Sequence, residues 1–159
     1  VEKIRIGGVI VHKNLVRIQA SANQGVDLAT GLLTAFANKK INIQFIVHLL
    51  DASNRDQLIL AIDQEDVQTA FKHVCELQRE KIVTHFFIQQ DCALVGIHGP
   101  DFRLRAGIAG LYLQTLRNHG IGVMAISTSI STCAVLISAK QTEAAFQAIG
   151  TVFDYPPIR

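Results

Sequence analysis

The sequence states one supersecondary programme twice, and this constrains the fold more than any single motif. Around Asn38-Lys39-Lys40-Ile41 a helical pattern ends, the chain turns, and an apolar strand carrying Ile43, Phe45 and Ile46 begins. The programme returns 80 residues later, where Asn118-His119-Gly120-Ile121 leads into a strand ending Ile126-Ser127-Thr128-Ser129. In that register Leu33 meets Leu113, Phe36 meets Leu116 and Asn38 meets Asn118. Toward the second helix of each copy the offset slips to 75 residues, so Phe71 meets Phe146, and a shorter loop between paired strands accounts for the slip. Repetition at this length implies two like units in tandem.

Periodicity gives the content of each unit. Ile4 to Val11 is β-branched and interrupted at Gly7-Gly8, and Leu15 to Ala20 alternates apolar and polar, so both segments are predicted strands. Ser21 to Gly25 is turn chemistry. Leu28, Leu32, Leu33, Ala35 and Phe36 fall at helical spacing, with Asp27 placed as an N-terminal cap or dipole partner. Strands are predicted over Ile41 to Leu50, Leu58 to Ile62 and Ile82 to Gln89, with a helix over Asp63 to Leu77 whose inward face carries Val67, Ala70, Phe71 and Val74. The second copy reads as strands over Ala93 to His98, Val123 to Thr128 and Thr132 to Ile137, and helices over Ile108 to His119 and Gln141 to Ile149.

The fold class is therefore α+β, two ferredoxin-like βαββαβ units. They are expected over residues 13–80 and 81–154. The second unit lacks a last strand, because Pro156 and Pro157 follow its final helix and cannot donate to a ladder. Residues 3–12 are expected to supply the missing strand, which interlocks the two units.

Composition closes off several functions. Of 159 residues, 49% are hydrophobic and 18% charged, enough for packed cores and unlike a disordered chain. A net charge of +2 with scattered Lys and Arg, no Trp and two Tyr offers no nucleic-acid surface. Apolar runs fall short of the roughly 18 to 20 residues of a membrane span, and the start Val1-Glu2-Lys3 does not read as a signal peptide. Three cysteines, Cys75, Cys92 and Cys133, fit neither a disulfide set nor a metal spacing, so free thiols in a reducing cytoplasm are expected. His48 and His98 stand on strands without ligand-spaced partners, so no metal is expected. No phosphate loop and no nucleophile motif occurs, and neither catalysis nor a cofactor is expected.

Residues 118–129, Asn118-His119-Gly120-Ile121-Gly122-Val123-Met124-Ala125-Ile126-Ser127-Thr128-Ser129, resemble the second domain of the tandem ACT pair that regulates aspartate kinases. There a helix leads into a strand ending in the letters ISTSE. Val95-Gly96-Ile97-His98-Gly99 followed by Gly107-Ile108-Ala109 matches that domain's first strand, glycine turn and helix start, and Leu28 to Phe36 with Ile41-Asn42-Ile43 resembles the first domain. The resemblance spans Gly8 to Phe153.

It implies a regulatory module that binds a free amino acid of the lysine or threonine class between ACT domains, as a homodimer or in assembly with a kinase catalytic domain. Loop amides and a helix N-terminus can hold a carboxylate there. The implied ligand contacts in the first unit are Ser21, Asn23, Gln24, Gly25, Asp27 and Ala29, followed by Asn42, Ile43, Gln44 and His48. In the second unit they are Ser127, Thr128 and Ser129. The chain departs from the pattern at Gln44, where the family carries an amine-binding Asp, and at Ile130, where it carries Glu. A ligand-free dimerisation scaffold of the same fold is the alternative.

Overall fold

The elements run β1 (Ile4–Arg5), β2 (Gly8–Ser21), α1 (Leu28–Asn38), β3 (Phe45–Leu50), β4 (Asp56–Asp63), α2 (Val67–Arg79), β5 (His85–His98), α3 (Ile108–Asn118), β6 (Val123–Thr128), β7 (Thr132–Ser138), α4 (Thr142–Val152) and β8 (Phe153–Asp154). The computed structural model describes residues 2–100 and 102–157. The fold is α+β with two ferredoxin-like units. One unit is Asn14–Gln90; the other joins the residues through Lys13 to those from Asp91 onward. The boundary expected at 80 and 81 falls at 90 and 91, because β5 begins in one unit and ends in the other.

Two long strands replace four predicted short ones. β2 and β5 are each 14 residues long, running through the polar stretches His12-Lys13-Asn14 and Gln89-Gln90-Asp91 that read as breaks in the sequence. Asn14 (φ 56°) and Asp91 (φ 55°) take left-handed backbone there. Asn and Asp tolerate that conformation better than other side chains, so each strand continues past the irregularity.

In the Asn14–Gln90 unit the sheet order is β3-β4-β2-β5, the ferredoxin-like arrangement, with β4 antiparallel to both β3 and β2. Val16, Ile18, Ala20, Leu58, Leu60 and Ile62 pack from the sheet against Leu28, Leu32 and Phe36 of α1 and Ala70, Val74 and Leu77 of α2. The period of α2 rotates Phe71 off this face. It is 51% exposed and packs edge-on to Phe86, whereas Leu77 is buried. β3 starts four residues later than predicted. Ile41 instead folds back to close α1, its N–H donating to Phe36 O at 3.0 Å.

In the second unit β7 lies between β5 and β6, antiparallel to both, and the opening residues of β2 flank β5 on its other side. The unit also has a two-residue strand, Phe153–Asp154, which lies outside that sheet, as expected, and pairs parallel to β1 through Ile4↔Phe153 and Arg5↔Asp154. Its core joins Val95, Ile97, Val135 and Ile137 to Ile108, Tyr112 and Leu116 of α3 and Ala145, Ala148 and Ile149 of α4. The buried Tyr112 hydroxyl is satisfied by donating to Val95 O at 2.9 Å. Gly7 and Gly8 cross the His98 ring so closely that a Cβ on either would sit 2.9 or 2.7 Å from it, so a side chain there would have to displace the ring.

Candidate functional site

Each unit places a helix N-terminus at the end of a strand pair, and the two termini are finished differently. A helix N-terminus carries about half a unit of positive charge and unpaired N–H groups, so something negative belongs there.

At α1 the protein supplies the negative groups itself. Asp27 is the N-cap, accepting from Thr30 N–H at 3.0 Å. That hydrogen bond holds its carboxyl below the ordinary value of 3.8, with a smaller contribution from the charge of His48. Asp56, at the start of β4, is nearly buried. Its Oδ2 accepts from Leu28 N–H at 3.1 Å, a donor shared with Val26 O, and its Oδ1 lies 3.3 Å from His48 Nε2. The strand-borne His48 therefore has an acidic partner, contrary to its appearance in the sequence. The β3–β4 register, with Leu50 opposite Asp56, brings that partner diagonally across the pair.

The other predicted residues of this unit are spread out. Ser21 and Asn23 line a cavity of about 240 Å³ with Arg55, Gln57, Thr84 and His85. Gln24 and Gly25 are exposed in the turn, where Gly25 takes φ 81°. Ala29 packs on the core. Asn42, Ile43 and Gln44 precede β3 rather than lying in it: Asn42 is exposed and Ile43 packs inward. Gln44 is engaged at both ends, its N–H donating to Ala61 O at 2.8 Å and its side-chain amide to Asp63 Oδ2 at 3.0 Å.

At α3 the N-cap is Gly107, with φ 91°, which brings no capping side chain. The first turn opens on a cavity of about 230 Å³ lined by Phe102, Arg105, Gly107, Ile108, Ala109, Thr128, Ser129, Thr132 and Cys133. Thr128 and Ser129 reach it because the β6–β7 pair turns over there: Thr128 lies opposite Cys133, and Ser129 N–H donates to Thr132 O at 2.8 Å. Ser127, the third predicted residue, is half-buried opposite Ala134 and does not line the cavity. Burial in the strand pushes the Cys133 thiol up to about 11, so it is a neutral wall rather than a nucleophile. Among the described residues lining this cavity there is a cation and three hydroxyls and no carboxylate.

Sequence analysis did not single out Asp56, Arg105 or Thr132. Asp56 carried no motif; its role follows from cross-strand register, which a sequence does not display. Thr132 was legible as part of the hydroxyl run that resumes after Ile130 as Ser131-Thr132. No group of three or more His, Cys, Asp or Glu able to hold a metal occurs among the described residues, and no helix among them is long and apolar enough to cross a membrane.

No family model matches the chain, and no curated protein matches it in sequence. Solved structures do. The regulatory subunit of aspartate kinase from Thermus thermophilus, in its ligand-free form, superposes with a TM-score of 0.83 at 21% identity, covering 94% of this chain and 99% of that one. The regulatory subunit from Thermus flavus gives 0.82 at 20% identity, covering 92% and 97%. The aspartate kinase of Clostridium acetobutylicum gives 0.81 at 18% identity; 96% of this chain corresponds to 37% of that enzyme. The chain thus has the fold of aspartate kinase regulatory subunits over nearly its whole length.

Proposed function

We propose that the protein is a regulatory module that binds a free amino acid, with the ligand carboxylate at the N-terminus of α3. The observation that carries this reading is the contrast between the two helix starts. At α1 the anion position is filled by Asp27 and Asp56; at α3 it opens on a cavity with Arg105, Thr128, Ser129 and Thr132 on its walls. A carboxylate there gains N–H donors and a cation at once. The hydroxyls suit a short polar side chain and Arg105 opposes a long cationic one, so threonine fits this lining better than lysine.

The partner of the module is a second copy or a kinase catalytic chain, in keeping with a fold shared with regulatory subunits. β3 supports such an assembly. It stands at the edge of its sheet with Ile46, Leu49 and Leu50 exposed by 42%, 47% and 58%, and an open apolar edge is a pairing surface. Ligand would act by favouring one assembly state over another, shifting the equilibrium by its difference in affinity for the two. The reading has no catalytic role for this chain and places it in the cytoplasm.

Calorimetric titration with each common amino acid tests the proposal. Saturable binding of threonine or a similar small amino acid is expected, weakened about tenfold or more in Arg105→Ala, the loss of roughly one charge-assisted hydrogen bond. Silence across the panel would leave the ligand-free scaffold, a reading that the self-filled α1 terminus already favours for the first unit.

A further inference from the structure

The Asn14–Gln90 unit carries a further cavity. A cavity of about 360 Å³ opens beside β2 and is lined by Arg17, Gln19, Ser21, Gln57, His85 and Phe87, with Ala20 and Phe86 behind them. Its volume is within the range of small-ligand pockets, roughly 300 to 1,000 Å³. The Arg17 guanidinium lies over the Phe87 ring, 5.2 Å from its centroid, and Phe87 is 53% exposed. The ring fixes the planar cation in place without neutralising it.

Two features of Arg17 point to a missing acceptor. Its Nε is buried and has no hydrogen-bond partner, and buried donors are rarely left so. Nor does a carboxylate line the cavity among the described residues; its ionisable residues are Arg17 and His85, and its other polar groups are two amides and a hydroxyl. Among the described residues, an acidic group that a lining side chain touches is Asp51, reached by the Gln57 amide at 3.4 Å, and Asp51 is already held by Arg55 at 2.9 Å.

We infer that this cavity binds a small oxyanion, a carboxylate or phosphate, that accepts from the Arg17 guanidinium, with the Gln19 and Gln57 amides and the Ser21 hydroxyl completing the shell. A guanidinium presents its N–H groups as a fork that matches two oxygens of such an anion. The site is independent of the α3 cavity and stands or falls separately from the amino-acid reading.

The test is a titration of isotope-labelled protein with sodium malonate and, separately, inorganic phosphate, following the Arg17 Nε–H resonance, with chloride at matched ionic strength as control. Saturable movement with at least one oxyanion and none with chloride is expected; the arm that saturates at lower concentration tells carboxylate from phosphate. Arg17→Met should bind at least tenfold more weakly, as loss of a charge-assisted contact requires. Phe87→Leu, at an exposed position that preserves the charge, should bind several-fold more weakly and decides the matter should Arg17→Met not fold. A resonance unmoved by either oxyanion, one moved equally by chloride, or undiminished binding in the variants would overturn the site.

Discussion

Asp56 shows how much of this protein turns on single side chains that carry no motif. Its carboxylate shares the Leu28 N–H and pairs with His48, so Asp56→Ala should lower stability by about 1 kcal/mol in urea unfolding, the usual worth of a helix-terminal acceptor. Gln44 makes a sharper case. Introducing the Asp of the aspartate kinase pattern by Gln44→Asp would set a second carboxylate against Asp63, whose Oδ2 now accepts from the Gln44 amide at 3.0 Å. The variant should lose about 1 kcal/mol at neutral pH and gain no amino-acid binding in calorimetry. A variant of unchanged stability that binds lysine would show Gln44 to be a lost ligand contact.

Titration gives a further residue-scale expectation. Asp27 and Asp51 are held below their ordinary value of 3.8 by hydrogen bonds from backbone N–H groups, of Thr30 and Arg55 respectively. Their contribution is full above that value and is lost as pH falls through their lower folded values. On the alkaline side the direction reverses. Burial raises Cys133 from 9.0 to about 11 and raises Tyr112 above its ordinary 10. The unfolded chain ionises first, so stability is full below pH 9 and falls between 9 and 11. Thermal unfolding followed from pH 6 to pH 11 should show a flat stretch and then this decline. Tyr112→Phe should cost about 1 kcal/mol at neutral pH through loss of the Val95 O hydrogen bond and should make the alkaline fall shallower.

At the scale of elements, hydrophobic periodicity located all four helices, because each presents one apolar face to a sheet. It failed where the backbone does something that the pattern cannot carry. The long strands β2 and β5 absorb left-handed Asn14 and Asp91, which look like breaks when read as letters. Ile41 has the composition of a strand and serves as the closure of α1. The two-residue β8 is too short to have any pattern. Of the candidate site, Asp27, Thr128 and Ser129 were legible, since a cap and a hydroxyl run after a strand are local features. Asp56, Arg105 and Arg17 gain their roles from cross-strand register, a cavity wall and a ring stack, all of which arise only on folding.

For the whole molecule, two copies of one fold have diverged at the same place. The first unit closes its helix start with its own carboxylates, and the second leaves a glycine and a cavity there. One filled and one open terminus is what a module with a single ligand per tandem pair would present. Assembly is argued at this scale too: Leu50→Lys, on the open β3 edge, should lower any concentration-dependent association seen in sedimentation while leaving amino-acid affinity for the monomer unchanged.

The most direct test of the central claim follows backbone amide resonances during a threonine titration. Ile108, Ala109 and Gly110 of α3 should move together to saturation while Leu28, Ala29 and Thr30 of α1 stay in place. Movement at α1 with α3 unchanged, or no movement at either helix at saturating threonine, would contradict it.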